Sequence, residues 1–307
     1  MRALVAASGG VELREVDEPS QASDQALVEV RAVSLNRGEC TALRTAEDGW
    51  RPGWDLAGIV LRGAPDGSGT AEGARVVGWV NGGAWAERAA VRTDHLAEIP
   101  ESLSFQTAST LPVAGLTAVG VLSAIGSLLG RHVAITGAAG GVGRFAVQLA
   151  EMAGANVTAI VGRPERGEGL RELGADEIVV GLEPDGREFD LIAESVGGAS
   201  LSAAVSRVAA DGIIVSFGNS SNEPARFDPR TFYRKGAPRM LGYFVVYELL
   251  RGRIGTARLA ALAALVAEGR LVSAIDVEVP WTDATTAIDA LMARRVNGKA
   301  VLVMSAP

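Results

Sequence analysis

A glycine-rich stretch near the middle of the chain carries the clearest chemical pattern. Residues 137–143 are Gly-Ala-Ala-Gly-Gly-Val-Gly, between the strand-like run His132–Thr136 and a predicted helix, Val142–Met152. Glycines here let the backbone approach a pyrophosphate, and the helix N-terminus presents N–H groups and a positive dipole end. We predict a dinucleotide-binding loop, with a glycine-rich turn that binds no ligand as the alternative. Its predicted cofactor contacts are Ala139, Gly140, Gly141, Val142 and Gly143.

The residues about twenty positions beyond this loop bear on the choice of cofactor. An acidic residue there binds the ribose hydroxyls of NAD, whereas a basic residue suits the 2′-phosphate of NADP. Here Gly162 is followed by Arg163 and Arg166. A guanidinium is a planar fork that matches a phosphate, so we predict NADPH, bound here by Gly162, by Arg163 first and by Arg166 second. Two solvated arginines, with Glu165 reducing their field, are the alternative.

Alternating strands and helices must position these residues. From Leu116 to Phe217 the two patterns alternate regularly, which predicts a parallel, doubly wound sheet. The predicted strands are His132–Thr136, Asn156–Val161, Glu177–Val180, Phe189–Ala193 and Gly212–Phe217. The predicted helices are Leu116–Leu129, Val142–Met152, Glu165–Leu173 and Ala199–Ala209.

The flanking segments have a different character. Before Pro112, short β-rich runs are separated by Gly, Pro and Asp, which is typical of an irregular β-rich domain. These runs are 26–33, 58–62, 75–80 and 85–91, and residues 64–70 are predicted to form a hairpin loop. The last part predicts a helix at 257–268, a strand at 273–279, a helix at 282–294 capped by Thr282 or Asp283, and a strand at 300–304.

The composition argues against several classes of function. The 307 residues carry a net charge of -7 without a Lys/Arg block, which opposes nucleic-acid binding. One cysteine, Cys40, and two histidines, His95 and His132, form no metal-ligand cluster in the sequence. No apolar run approaches the roughly 18 residues of a membrane span, and no secretory pattern is found. We expect a soluble, cytoplasmic protein without a bound metal or a membrane partner, in which Cys40 is buried.

A series of short motifs runs along nearly the whole chain in a specific order. It consists of 33–37 (VSLNR), 52–58 (PGWDLAG), 83–87 (GAWAE), 111–118 (LPVAGLTA), 138–143 (AAGGVG), 194–198 (ESVGG) and 298–299 (GK). This series resembles the zinc-free quinone oxidoreductases, the zeta-crystallin-like branch of the medium-chain dehydrogenase/reductase superfamily. The resemblance implies a GroES-like catalytic domain from residues 1–116 and 258–307. A Rossmann NADP-binding domain, residues 117–257, would be inserted between its two parts.

The same resemblance implies roles for individual residues. Asn36 would face the nicotinamide and the substrate, and Thr117, at the start of a linking helix, would contact the nicotinamide ribose or carboxamide. A turn or a helix cap is the alternative for each. Further cofactor contacts implied by the family are Ser195, Val196, Phe217, Gly218, Phe244, Asn297 and Lys299. For Lys299, an exposed surface lysine is the commoner outcome.

Two departures from relatives shape the expected chemistry. Trp54-Asp55 stands where zinc-dependent relatives have His-Glu, so we expect hydride transfer to an acceptor that is already electrophilic, such as a quinone or enone. The usual donor tyrosine after the Asn36 motif is missing. We therefore predict that Tyr243 or Tyr247 lines the substrate pocket, with aromatic packing as the alternative.

The predicted function is an NADPH-dependent reductase of quinones or α,β-unsaturated carbonyls. One alternative is an enoyl or natural-product biosynthetic reductase acting on a larger substrate. Another is an NADPH-binding sensor or structural protein with little catalysis. The resemblance further implies a homodimer formed through Rossmann sheet edges, for which the apolar run Leu241–Val246 is the candidate strand.

Overall fold

The computed structural model describes residues 1–252 and 255–304 and divides into two compact units. The first unit contains Met1–Leu116 and Val246–Pro307, and the second contains Thr117–Val245. The second unit begins at the predicted residue 117 but ends before the predicted residue 257. One contact that ties the segment after Val245 to the first unit joins the Leu249 carbonyl to His95 Nε2, at 3.0 Å.

The bounds of the elements are as follows. The strands are β1 (Arg2–Ala7), β2 (Gly10–Glu15), β3 (Gln25–Ser34), β4 (Asp55–Arg62), β5 (Arg75–Trp79), β6 (Arg88–Arg92), β7 (Leu96–Glu98), β8 (His132–Thr136), β9 (Asn156–Val161), β10 (Glu177–Val180), β11 (Phe189–Glu194), β12 (Val208–Ser216), β13 (Arg239–Gly242), β14 (Ile275–Pro280) and β15 (Lys299–Val303). The helices are α1 (Arg37–Ala42), α2 (Phe105–Ser109), α3 (Pro112–Leu122), α4 (Gly141–Met152), α5 (Gly198–Arg207), α6 (Pro229–Tyr233), α7 (Val245–Leu250), α8 (Thr256–Ala267) and α9 (Ala284–Met292).

The first unit is built on a mostly antiparallel sheet. Its strand order is β14-β15-β3-β4-β5-β7, and β6 also pairs with β3. The pairing of β4 with β5 confirms the hairpin predicted around residues 64–70. Gly58 allows β3 and β4 to approach, because a Cβ there would lie 1.9 Å from the Glu29 carbonyl oxygen. The expected GroES-like β-rich domain is confirmed.

The second unit contains a parallel sheet in the order β10-β9-β8-β11-β12-β13. The order reverses direction at β8, as in a doubly wound Rossmann fold. The central strands are apolar and buried because helices cover such sheets on both faces; Val133, Ala134 and Ile135 of β8, for example, are fully buried. The predicted α/β class and parallel sheet are confirmed, and the carboxyl ends of these strands form one edge.

Three predicted elements were wrong in type or extent. The predicted helix 165–173 is only a short 3-10 turn, Pro164–Gly167, and Gly169 follows it with a positive φ of 74°. The predicted helix 116–129 is α3, which starts earlier and ends at Leu122, before Gly126 turns the chain with φ 83°. The apolar run 241–246 is divided between the end of β13 and the start of α7.

Among the described residues, no helix has both the length and the apolar character needed to cross a membrane.

Candidate functional site

The glycine-rich loop joins β8 to α4 in the second unit. Gly140 is the N-cap of α4, and the first turn of this helix has no acidic residue. A Cβ on Gly143 would lie 2.5 Å from the Gly137 carbonyl oxygen, so only glycine lets the helix pack directly on the loop backbone. The helix N-terminus is therefore close to the strand end and suited to an anion such as a pyrophosphate.

Side chains tie the ends of β8 and β11 together. The Ser195 backbone N–H donates to Thr136 Oγ1 over 2.8 Å, and the Ser195 hydroxyl donates to the Thr136 carbonyl over 3.0 Å. The fully buried Glu194 accepts hydrogen bonds from the N–H groups of Val196 (3.0 Å) and Gly197 (3.1 Å). A buried carboxylate with these donors fixes the turn that follows β11.

The end of β12 contacts the turn that follows β11. The Phe217 N–H donates to the Glu194 carbonyl over 2.9 Å, and a Cβ on Gly218 would lie 3.0 Å from the Ser195 carbonyl oxygen. The predicted contacts Ser195, Val196, Phe217 and Gly218 thus share one sheet edge with the glycine-rich loop. This edge is where open α/β sheets bind ligands.

The two predicted phosphate-binding arginines follow β9, which pairs with β8 and ends at this edge as well. Arg163 is exposed and Arg166 is half-buried, at the two ends of the turn in which the Arg166 N–H donates to the Arg163 carbonyl. Arg144 of α4 donates to the Glu168 carbonyl over 2.9 Å, which holds this turn next to the helix that begins at the loop. The arrangement suits a dinucleotide with an additional phosphate.

The first unit contains a buried polar cluster, which we call the Asp55 cluster. Its members lie at the end of β3, at the start of α1 and at the first residues of β4 and β15. They are Ser34, Asn36, Glu39, Asp55 and Lys299. Except for the half-buried Asn36, each of these residues is at most 3% exposed.

The hydrogen bonds of the Lys299 ammonium are made to this cluster and to the adjacent backbone. Its Nζ donates to Asn36 Oδ1 over 2.7 Å and to the Leu35 carbonyl over 2.9 Å, and it lies 3.6 Å from Asp55 Oδ2. The alternative of an exposed surface lysine is therefore wrong. β15 carries the amine into the core because it pairs with β3 beside Asn36.

The two carboxyl groups of the cluster have different partners. Asp55 accepts from the Ser34 hydroxyl (2.8 Å), from Asn36 Nδ2 (2.8 Å) and from the Val113 N–H (3.0 Å). Glu39 Oε1 accepts from the backbone N–H of Asn36 (2.7 Å) and from its Nδ2 (3.3 Å). Glu39 Oε2 is buried without a hydrogen-bond partner among the described residues.

Burial sets the protonation of these groups. Burial, together with the nearby charge of Asp55, raises the pKa of Glu39 to about 8. Burial also raises the pKa of Asp55, against the opposing effect of the Lys299 charge, and lowers the pKa of Lys299, against the opposing effect of the Asp55 charge. A neutral Glu39 beside an Asp55–Lys299 ion pair gives the cluster no net charge, which is the arrangement that an apolar core tolerates.

Glu39 is a member of this cluster that the sequence analysis did not predict. The spacing Asn36-x-x-Glu39 is that of a capping box, in which the third helical residue accepts from the N-cap backbone N–H. Asn36 is indeed the N-cap of α1, so the cap predicted as an alternative is present together with the cluster contacts. The pattern could have predicted the cap, but not the proximity of Asp55 and Lys299.

Other predicted site residues have varied surroundings. Thr117 is buried in the interior of α3, which begins at Pro112, so its predicted position at the helix start was wrong. The Tyr243 ring fills the space beside Gly120 of α3, where a Cβ would lie 1.9 Å from the tyrosine oxygen. Tyr247 is 61% exposed and belongs to the first unit.

The two remaining predicted cofactor contacts are Phe244 and Asn297. Phe244 is exposed, whereas the Asn297 N–H donates to Asp276 Oδ2 over 2.8 Å. Asn297 Oδ1 is a buried acceptor without a hydrogen bond in the described part of the chain. Within residues 1–252 and 255–304, no group of three or more His, Cys, Asp or Glu side chains is arranged to hold a metal ion, and Cys40 is buried.

Substitution of Glu39 by glutamine tests whether this side chain is protonated in the folded protein, through the pH dependence of stability. The ordinary pKa of this side chain is 4.5, so between pH 4.5 and about 8 the folded protein retains a proton that the unfolded chain has lost. The free energy of unfolding should therefore fall as pH rises through this window, on the order of 1 kcal/mol per pH unit from this group. In Glu39→Gln this contribution is absent, so the stability of the variant relative to wild type should increase from pH 5 to about pH 8 and level off above it.

Urea unfolding at several pH values measures this difference. Glu172→Gln, at an exposed position, is the control and should differ from wild type by the same amount at every pH. A pH-independent difference for Glu39→Gln would show that Glu39 is ionised throughout.

Comparisons with known proteins agree with this geometry. Residues 22–101 match the family described as "Alcohol dehydrogenase GroES-like domain", and residues 173–302 match the family described as "Zinc-binding dehydrogenase". The quinone-oxidoreductase QR1 of Triphysaria versicolor is 32% identical over 195 residues, which are 58% of this chain and 59% of that protein.

Two further similarities were found. A segment of erythronolide synthase EryA2 of Saccharopolyspora erythraea is 34% identical over 222 residues, which are 67% of this chain but only 6% of that protein. The structure of the quinone oxidoreductase from Coxiella burnetii superposes with a TM-score of 0.86 at 25% identity, covering 99% of both chains. The chain belongs to the medium-chain dehydrogenase/reductase superfamily, as a quinone-oxidoreductase-like member.

Proposed function

We propose that this chain is an NADPH-dependent reductase that transfers a hydride, without zinc, to a quinone or an α,β-unsaturated carbonyl compound. The observation that carries the proposal is the shared sheet edge of the second unit, where the glycine-rich loop, the turns after β11 and β12 and two arginines come together. The similarity to quinone oxidoreductases supports the acceptor class.

The cofactor would lie along this edge of the second unit. Its pyrophosphate is assigned to Ala139–Gly143 at the N-terminus of α4, and its 2′-phosphate to Gly162, Arg163 and Arg166. The remaining assignments follow the family, with the nicotinamide end near residues 195–196, 217–218 and 244. Asn36, Thr117 and Asn297 stay predicted contacts of this end. When bound, the nicotinamide supplies the hydride, and the chain binds and orients both reactants.

Zinc independence is proposed from the bonding of Asp55. Both of its oxygens already accept hydrogen bonds within the first unit, and its ion pair with Lys299 balances its charge. Trp54, the other residue at the position of the His-Glu pair, offers only an N–H donor. Quinones and enones accept a hydride without a Lewis acid, which matches this set of residues.

Two other functions have a specific basis. The similarity to a segment of erythronolide synthase favours a reductase of a larger biosynthetic intermediate as the second candidate. An NADPH-binding protein with little catalysis is the third, because the usual donor tyrosine is missing and Tyr243 packs against α3. Unchanged turnover in both Tyr243→Phe and Tyr247→Phe would remove these residues as candidate catalytic groups.

The activity is tested by following NADPH and NADH absorbance with a panel of simple quinones and conjugated enones. We expect NADPH oxidation that a chelator does not change, and the preferred acceptor decides between quinone and enone chemistry. Activity lost with chelator and restored by zinc would contradict the metal-free proposal. NADPH binding without oxidation of any of these acceptors would favour the second or third candidate.

The choice of NADPH over NADH is tested at the two arginines. Each guanidinium lost from a phosphate site removes charge-assisted hydrogen bonds, so Arg163→Ala should weaken NADPH binding by about 10-fold or more, and Arg166→Ala by a similar or smaller factor. NADH binding should be unchanged in both variants. Fluorescence titration measures the dissociation constants, with exposed Arg226→Ala as the control. Equal losses for NADPH and NADH would contradict the 2′-phosphate assignment.

We also propose that the protein is a homodimer formed through β13, a sheet edge with an exposed face. Its residues include Met240 and Leu241, which are 40% and 43% exposed. We expect light scattering to give twice the mass of 31.7 kDa, and Leu241→Lys to give the monomer. Val180→Lys, on the opposite edge strand β10, is the matched control and should stay dimeric. A wild-type monomer would contradict this proposal.

A further inference from the structure

The carboxyl group of Glu194 is fully buried at the end of β11. Its oxygens accept from the backbone N–H groups of Val196 (3.0 Å) and Gly197 (3.1 Å), and two such donors favour the ionised form. Among the described residues, no lysine, arginine or histidine pairs with this carboxylate, whereas the buried Asp55 pairs with Lys299. In the described part of the chain, Glu194 is therefore a buried negative charge without a counter-charge.

The strand order indicates which half of a dinucleotide would lie near this charge. The sheet runs β9-β8-β11-β12 along the edge, and the glycine-rich loop follows β8. Arg163 and Arg166, which we assign to the 2′-phosphate, follow β9 on one side of the loop. The 2′-phosphate belongs to the adenosine half of the cofactor. The nicotinamide half must then extend to the other side of the loop, toward the turns after β11 and β12.

The two sides of the loop carry charges of opposite sign. The guanidinium groups of Arg163 and Arg166 follow β9, whereas the carboxylate of Glu194 ends β11. A second carboxyl group, that of Glu223, lies next to Gly198 but is exposed to solvent. Solvent screens an exposed charge strongly and a buried charge much less. Glu194 therefore dominates the potential on the β11 side, which favours a cationic group there.

We propose that Glu194 supplies the counter-charge for the oxidised nicotinamide ring and so makes bound NADPH a stronger hydride donor. The proposal rests on the proposed function, in which the nicotinamide end lies at this edge. Loss of the hydride leaves this ring with a positive charge, whereas the reduced ring is neutral. A negative charge held in the protein stabilises the cationic form and has little effect on the neutral one. The predicted consequence is tighter binding of NADP⁺ relative to NADPH.

The experiment measures the dissociation constants of NADPH, by fluorescence titration, and of NADP⁺, by competition with NADPH. Glu194→Gln keeps an acceptor oxygen for the turn and removes the charge. We expect the dissociation constant of NADP⁺ to rise about 10-fold and that of NADPH to change by less than about twofold. A 10-fold change in this ratio raises the potential of the bound two-electron couple by about 30 mV.

Two comparisons separate the effect of charge from other effects. Distortion of the turn would weaken the binding of both forms, so the ratio of the two dissociation constants reports the charge. NAD⁺ and NADH should show the same change of ratio in Glu194→Gln, because their nicotinamide rings are identical to those of NADP⁺ and NADPH. Arg163→Ala should weaken NADP⁺ and NADPH equally, because it acts on the 2′-phosphate.

An isosteric variant adds a charge at the same turn. Asn219 is exposed, and its Oδ1 packs directly over Gly197. Asn219→Asp should tighten NADP⁺ relative to NADPH about threefold, less than the effect of Glu194 because solvent screens the new charge. This variant decides the question if Glu194→Gln does not fold. Asn156→Asp, at an exposed position at the start of β9 and so at the opposite edge of the sheet, is the matched control and should keep the wild-type ratio.

The outcomes separate this inference from the proposed function. An unchanged ratio in a folded Glu194→Gln would overturn the inference while leaving the NADPH-dependent reductase intact, and equal weakening of both forms would do the same. If only Asn219→Asp can be measured, an unchanged ratio in that variant would overturn it. Failure of wild type to bind NADPH would overturn both proposals.

Discussion

The ion pair between Asp55 and Lys299 is the constraint on which the first unit depends. It brings opposite charges into an apolar core from β4 and β15, which lie in the two separate parts of the chain that form this unit. Burying either charge alone is costly, and removing one partner of such a pair costs about 3–5 kcal/mol. Both parts of the chain must therefore be in place before either charge is satisfied.

The neutrality of Glu39 follows from that pair. The cluster contains one ammonium and two carboxyl groups, so one carboxyl group is left without a counter-charge and retains its proton. The pKa of Glu39, about 8, is raised because ionisation would bury a second negative charge near Asp55. The cluster thereby fixes Asn36 through charge and hydrogen bonds. Polar groups that are packed in this way, with nearly all hydrogen bonds satisfied, form a rigid part of the core.

In the second unit, hydrogen bonds and close backbone packing hold several loops at one edge of the parallel sheet. The buried carboxylate of Glu194 and the Ser195 contacts to Thr136 connect adjacent strand ends, and Gly143 allows α4 to rest on the loop. Here backbone groups and a helix terminus provide the polar surface, whereas the first unit uses side chains.

The sequence by itself determined the fold class and most of the second unit, because local periodicity and a loop between a strand and a helix are properties of neighbouring residues. The strands His132–Thr136, Asn156–Val161 and Glu177–Val180 were predicted to the residue. The predicted helix 165–173 failed because a proline and several glycines favoured turns there. Only the tertiary structure decided that Lys299 is buried and that Glu39 and Asp55 lie in one cluster. The burial of Lys299 depends on β15 pairing with β3, and the position of Asp55 depends on β4 pairing with β3. These contacts between distant parts of the chain leave no local pattern in the sequence.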